Sequence, residues 1–203
     1  MVKHASLLLL LAFSTATTAG GPLGIDHRWS YDQSGIWSHS RLRLIEYATV
    51  GVDLGRAVWL DGDTRDRLIN WEALDASALA FVGGEAAKRV FGRERPTETD
   101  DANRWFQGAG HHSFPSTEVA VMAGVVTPFV LEYGCGHPAA WGLEVIPAII
   151  SVGRMKAQAH WQSDVLGGWA LGTASGYYAH SRAAPISLSV MPHSMRIGME
   201  RRF

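Results

Sequence analysis

Three apolar runs set the main constraint on how this chain can fold: Val119 to Leu131, Val145 to Val152 and Val165 to Tyr178. A membrane-spanning helix needs about 20 predominantly apolar residues in succession. Each run falls short of a comfortable span, and each is edged by polar or charged groups. They therefore read as buried helices of a soluble bundle. Of the 203 residues, 47% are hydrophobic and only 18% are charged, so one domain with a sizeable helical core is the expectation.

The rest of the chain fits around those helices. Gly20 to Gly35 is rich in glycine and turn signals and reads as an irregular arm. From about Ser38 to Leu60, Leu42, Ile45, Ala48 and Val52 recur at helical intervals. Asp61-Gly62-Asp63 breaks that helix, and Asp63 or Thr64 can cap the next. The second helix runs to about Phe91, with Leu74, Ala78, Phe81 and Val82 on one face. Glu94 to His112 is a polar loop, suited to one wall of a cleft. A helix then starts near Pro115 to Thr117, because proline suits a first turn. After a break at Tyr133 to Pro138, a helix over Ala139 to Met155 is expected to kink at Pro147. The last helix covers about Trp161 to Ser181. In the tail, residues 186–203, polar and apolar residues alternate on either side of Pro192-His193-Ser194, the pattern of a short β-hairpin.

Residues 1–19 have the make-up of an export signal: Lys3, an apolar stretch from Leu7 to Phe13, then small residues up to Ala19. Export to the periplasm is the expectation, and an N-terminal membrane anchor is the alternative. The net charge of −1 and the lack of a basic run give no electrostatic support for nucleic-acid binding. The single cysteine, Cys135, excludes an internal disulfide and reads as a buried, inert thiol.

Chemistry concentrates between residues 88 and 164. His160 and Asp164 are four apart, on one face if helical. A carboxylate on one ring nitrogen leaves the other free to attack an electrophile. A surface or core pair is the alternative; no second histidine lies at metal-ligand spacing on that helix. Arg154 and Arg95 can each fork onto two oxygens of a phosphate. Lys88 adds a point charge, unless it merely complements a helix C-terminus. Ser116 sits at a helix start, where free N–H groups attract anions. Trp105-Phe106 and Trp161 can line a lipid or aromatic pocket, or belong to the core.

Lys88-x6-Arg95-Pro96, then Ser113-Phe114-Pro115-Ser116, then Arg154-x5-His160-x3-Asp164 resembles the type 2 phosphatidic acid phosphatase (PAP2) superfamily, which includes bacterial acid phosphatases and vanadium haloperoxidases. The resemblance spans about Lys88 to Gly168. It implies an all-α bundle of the PAP2/haloperoxidase type over residues 20–185, followed by the hairpin. It implies that Lys88, Arg95 and Arg154 bind phosphate oxygens, with Ser116, Thr117 and the backbone amides that follow completing the site. His160 would be the nucleophile, forming a phosphohistidine, and Asp164 would orient it. No metal or other cofactor is implied.

The sequence departs from the family's Pro-Ser-Gly-His motif at Thr117 and Glu118. The histidine lost at 118 is the family's general acid. Glu118 can replace it only if its carboxyl stays protonated. His111 and His112, just upstream, are candidate substitutes. The expected function is metal-independent hydrolysis of phosphomonoesters or lipid phosphates, with association to a membrane surface open. The alternative is a catalytically weakened protein that binds phosphate or a lipid headgroup. Oligomeric state is not legible.

Overall fold

The computed structural model describes residues 20–59, 65–182, 186–191 and 194–199. Five helices dominate them: α1 (His39–Trp59), α2 (Arg65–Phe91), α3 (Thr117–Tyr133), α4 (Val145–Lys156) and α5 (Gln162–Ser181). The fold is all-α, as expected. Strands β1 (Ile186–Met191) and β2 (Ser194–Met199) pair antiparallel, with Ile186 opposite Met199 and Met191 opposite Ser194. The expected export signal and the Asp61-Gly62-Asp63 break lie outside the described residues. Among the described residues, no helix is long and apolar enough to cross a membrane.

The most apolar helix, α3, packs against both α2 and α5. Val119, Ala120, Met122, Ala123 and Val126 on it are almost wholly buried. On α5, Gly168, Gly172 and Gly176 repeat every four residues and so share one face. A Cβ at Gly168 would lie 2.5 Å from the Ser116 carbonyl oxygen, and one at Gly172 would overlap the carbonyl of Ala120. The α5 backbone can therefore lie directly against α3. This brings the first turns of the two helices side by side, and the Ser116 N–H donates to the Asp164 carbonyl at 3.0 Å.

The face of α2 differs from the expected one. Phe81 and Val82 are 54% and 65% exposed, whereas Ala73, Ala76, Ala80 and Gly84 are buried. Small residues win this face because α3 approaches closely: a Cβ at Gly124 would lie 3.2 Å from the Ala76 carbonyl oxygen. On α1, Leu42 is buried beside Gly153 of α4, but Val52 is exposed and Asp53 and Ala57 face inward instead. The kinked helix expected over 139–155 is two elements, a 3-10 segment Pro138–Glu144 and then α4, so the break comes before Pro147. Cys135 is exposed in the turn after α3, not buried.

The irregular arm does more than cross the surface. A bridge between Gly20 and Asp26 shapes it. Asp26 is buried and accepts from the Ser163 N–H at 2.8 Å, at the start of α5.

Candidate active site

His160 lies in the short link between α4 and α5 and is 2% exposed. Its Nδ1 donates to the carbonyl of Ser113 at 2.7 Å. A carbonyl only accepts, so the proton of the neutral ring is on Nδ1 and the lone pair is on Nε2. Nε2 has no hydrogen-bond partner and lies 3.5 Å from Oε2 of Glu118.

This corrects the expected role of Asp164. Its Oδ2 is 4.0 Å from His160 Nδ1, too far for a hydrogen bond. Asp164 accepts instead from the Ser113 hydroxyl at 2.6 Å, the Trp161 N–H at 2.8 Å and Arg93 at 2.5 Å. It orients the histidine through Ser113: the carboxylate holds the serine, and the serine carbonyl holds the ring.

Arg93, missed in the sequence, organises the back of the site. It is wholly buried, and beyond Asp164 it donates to Asp26 at 2.6 Å and Ser163 at 2.7 Å. Its guanidinium sits 4.2 Å from the centre of the Trp105 ring and 5.7 Å from that of Trp161. The indole N–H of Trp161 donates to the Glu94 carbonyl. Trp105 and Trp161 thus support Arg93, and neither lines the cleft described below. Phe106 is 69% exposed.

Each of the three expected cations has a partner within the protein. Arg154, on the last turn of α4, pairs with Glu118 Oε1 at 3.0 Å. Lys88 is buried at the end of α2 and pairs with Glu85 Oε1 at 3.0 Å, which also accepts from the Thr117 hydroxyl at 3.1 Å. Glu85 is a second residue the sequence reading missed; its i,i+3 spacing to Lys88 was the available signal. Arg95 is turned to its own loop, where its guanidinium lies 3.4 Å from the His112 carbonyl. In that loop His111 pairs with Glu98 at 3.3 Å. Neither His111 nor His112 lines the cleft described next.

Ser116 precedes α3 and is wholly buried, but its hydroxyl caps nothing and has no partner. The hydroxyl is thus a donor left free at the start of α3.

A cleft of about 380 Å³ opens between α1, α2 and α3. Tyr47, Val50, Phe81 and Val121 give it apolar walls, and Glu85, Lys88, Thr117 and Glu118 line its polar part. Glu118 faces this cleft and also touches His160 and Arg154, so it stands between the opening and the imidazole. Burial raises its carboxyl pKa, but His160 and Arg154 outweigh that and hold it well below the usual range. At neutral pH Glu118 is therefore a carboxylate, not a resting general acid. The His160 pKa is lowered by burial, with Glu118 pulling partly the other way.

The sequence profile of the PAP2 superfamily matches residues 71–184, more than half of the chain. The chain belongs to the PAP2 superfamily. It is also similar to a lipid A 1-phosphatase of Porphyromonas gingivalis, 35% identical over 107 residues. That alignment covers 50% of this chain and 21% of the relative, so the chain spans about a fifth of the relative's length. Among solved structures, the crystal structure of Aquifex aeolicus LpxE aligns over 73% of this chain and 98% of that one, at 20% identity and a TM-score of 0.40.

Proposed function

We propose that this PAP2 protein hydrolyses phosphate monoesters, lipid phosphates among them, by attack of His160 Nε2 on phosphorus. One observation carries the reading: the buried imidazole commits Nδ1–H to the Ser113 carbonyl and keeps an unpaired Nε2 beside Arg154 and Glu118. In the first step the N–P bond forms, the ester P–O bond breaks, and the leaving oxygen takes a proton. Water then cleaves the N–P bond, releasing phosphate and the neutral ring. Arg154, Lys88, Ser116 and the first amides of α3 would share the charge on the phosphoryl oxygens, and Arg95 would join them only by leaving the His112 carbonyl. No metal takes part. The apolar cleft walls suit an acyl or aromatic leaving group, and the similarity to a lipid A 1-phosphatase supports a lipid phosphate. Export, with residues 1–19 as the signal, would put the enzyme in the periplasm.

The test is phosphate release from p-nitrophenyl phosphate and from phosphatidic acid, with a chelator present, from acidic to neutral pH. His160→Ala is expected to abolish it; turnover that survives His160→Ala would sink the mechanism. One observation favours the alternative, a protein that binds phosphate or a lipid headgroup without turnover: Glu118 already holds Arg154. In that case vanadate binds and neither substrate is cleaved.

A further inference from the structure

We propose that Glu118 is a proton-operated counter-anion: an oxyanion reaches His160 only as Glu118 takes up one proton and releases Arg154. The accepted ligand is then a phosphate monoester that binds together with one proton from solvent. This rests on the reading that the site takes phosphate oxyanions.

The geometry gives three reasons. Glu118 spans the two groups an incoming phosphate needs, with one oxygen 3.0 Å from Arg154 and the other 3.5 Å from His160 Nε2. It also lies between them and the cleft, while His160 is 2% exposed and the Arg154 side chain 12%. Finally, Glu118 Oε2 and His160 Nε2 face each other without a hydrogen bond. In the neutral tautomer both atoms are acceptors, so the contact lacks a proton. The carboxylate thus sits in the region the phosphoryl group would take.

The charged groups around Glu118 set the balance. Arg43 and Glu46 face it from α1, Glu85 and Lys88 from α2, Arg154 from α4, and His160 from the link before α5. Arg154 favours its anion throughout, and His160 does so when its ring is protonated. A phosphate that takes Arg154 removes that support and adds negative charge nearby, and both changes favour protonation. The proton is then in place for the reaction. As the ester P–O bond breaks, it passes from Glu118 to the leaving oxygen, and the carboxylate re-forms. The restored anion competes again for Arg154 and helps to expel the product phosphate.

Sulfate is a suitable probe, because it stays a dianion from acidic to neutral pH and cannot be turned over. Calorimetry should show the wild-type Kd for sulfate rising about tenfold per pH unit, the signature of one linked proton. Glu118→Gln and Glu118→Ala should bind sulfate with a much flatter pH profile, and more tightly than wild type at neutral pH. Glu46→Gln should keep the wild-type slope, separating Glu118 from its neighbour. Equal slopes in wild type and both Glu118 variants, a slope lost only in Glu46→Gln, or no sulfate binding by any of them would overturn the proposal. Cleavage of p-nitrophenyl phosphate is measured in parallel. Linkage without turnover would leave the gate standing and remove the phosphatase reading; turnover without linkage would do the reverse.

Discussion

Arg93 and Asp164 meet at 2.5 Å with both side chains wholly buried. Arg93 also holds Asp26 at 2.6 Å, so a single guanidinium compensates two buried carboxylates. Removing one partner of a buried pair typically costs about 3–5 kcal/mol, because the other charge is left uncompensated. Arg93→Met is therefore expected to destabilise the protein by at least that much in urea unfolding. A change below about 1 kcal/mol would mean the pair is not formed.

The relay from Asp164 through Ser113 to His160 predicts coupling. Ser113→Ala keeps the carbonyl that receives Nδ1–H but frees it from Asp164. Each of Ser113→Ala and Asp164→Asn is expected to lower kcat/KM about 10- to 100-fold through misplacement of the ring. The double variant should fall well short of the product of the two effects, with a coupling energy of about 0.5–3 kcal/mol. Strictly multiplicative losses would show that Asp164 acts on His160 without the serine.

The close approach of α5 to α3 predicts a steric penalty. Gly172→Ala puts a methyl against the Ala120 carbonyl, and Gly168→Ala puts one 2.5 Å from that of Ser116. Overpacking of this kind costs about 1–3 kcal/mol, to be read as a loss of thermal stability. Gly168→Ala should also depress turnover, because Ser116 and Asp164 meet there. An exposed control such as Gly51→Ala, where nothing lies within 4 Å, should not lose stability.

Asp53 predicts a pH dependence away from the site. It is 4% exposed, both carboxylate oxygens lack partners, and burial pushes its pKa up to about 8, with Arg56 opposing. The folded state thus keeps a proton that the unfolded chain loses near pH 4. The favourable contribution is complete below about pH 4 and is lost as pH rises towards 8, by up to about 1.4 kcal/mol per unit. Asp53→Asn should remove that slope and be the more stable protein at pH 8. Parallel stability–pH curves for the two proteins would refute the assignment.

The helices and the family were legible because they rest on local signals: apolar runs, breaks at glycine and proline, and spaced motifs around His160 and Ser116. The buried face of α2 was not, because hydrophobicity points to Phe81 and Val82, whereas close helix packing selects Ala76, Ala80 and Gly84. The i,i+4 spacing of His160 and Asp164 suggested direct contact. It could not show that α5 begins only after His160, so the two residues do not share a helical turn. Arg93 carried no local mark, since its partners Asp26 and Asp164 come from distant parts of the chain. Glu118 was a candidate in the sequence; its contacts with Arg154 and His160 depend on how α3, α4 and α5 meet.

The tie between Asp26 and Arg93 also bears on where the cooperative unit begins. The family match starts at residue 71 and the first long helix at His39, so either would look like a natural place to trim the chain. A fragment cut at one of those points would still hold every residue proposed to touch phosphate. It would leave Arg93 with one carboxylate instead of two and the Ser163 N–H, in the first turn of α5, short of an acceptor. Such a fragment should express as a looser protein with a poorly held histidine, and its weak activity would be misread as a property of the active site.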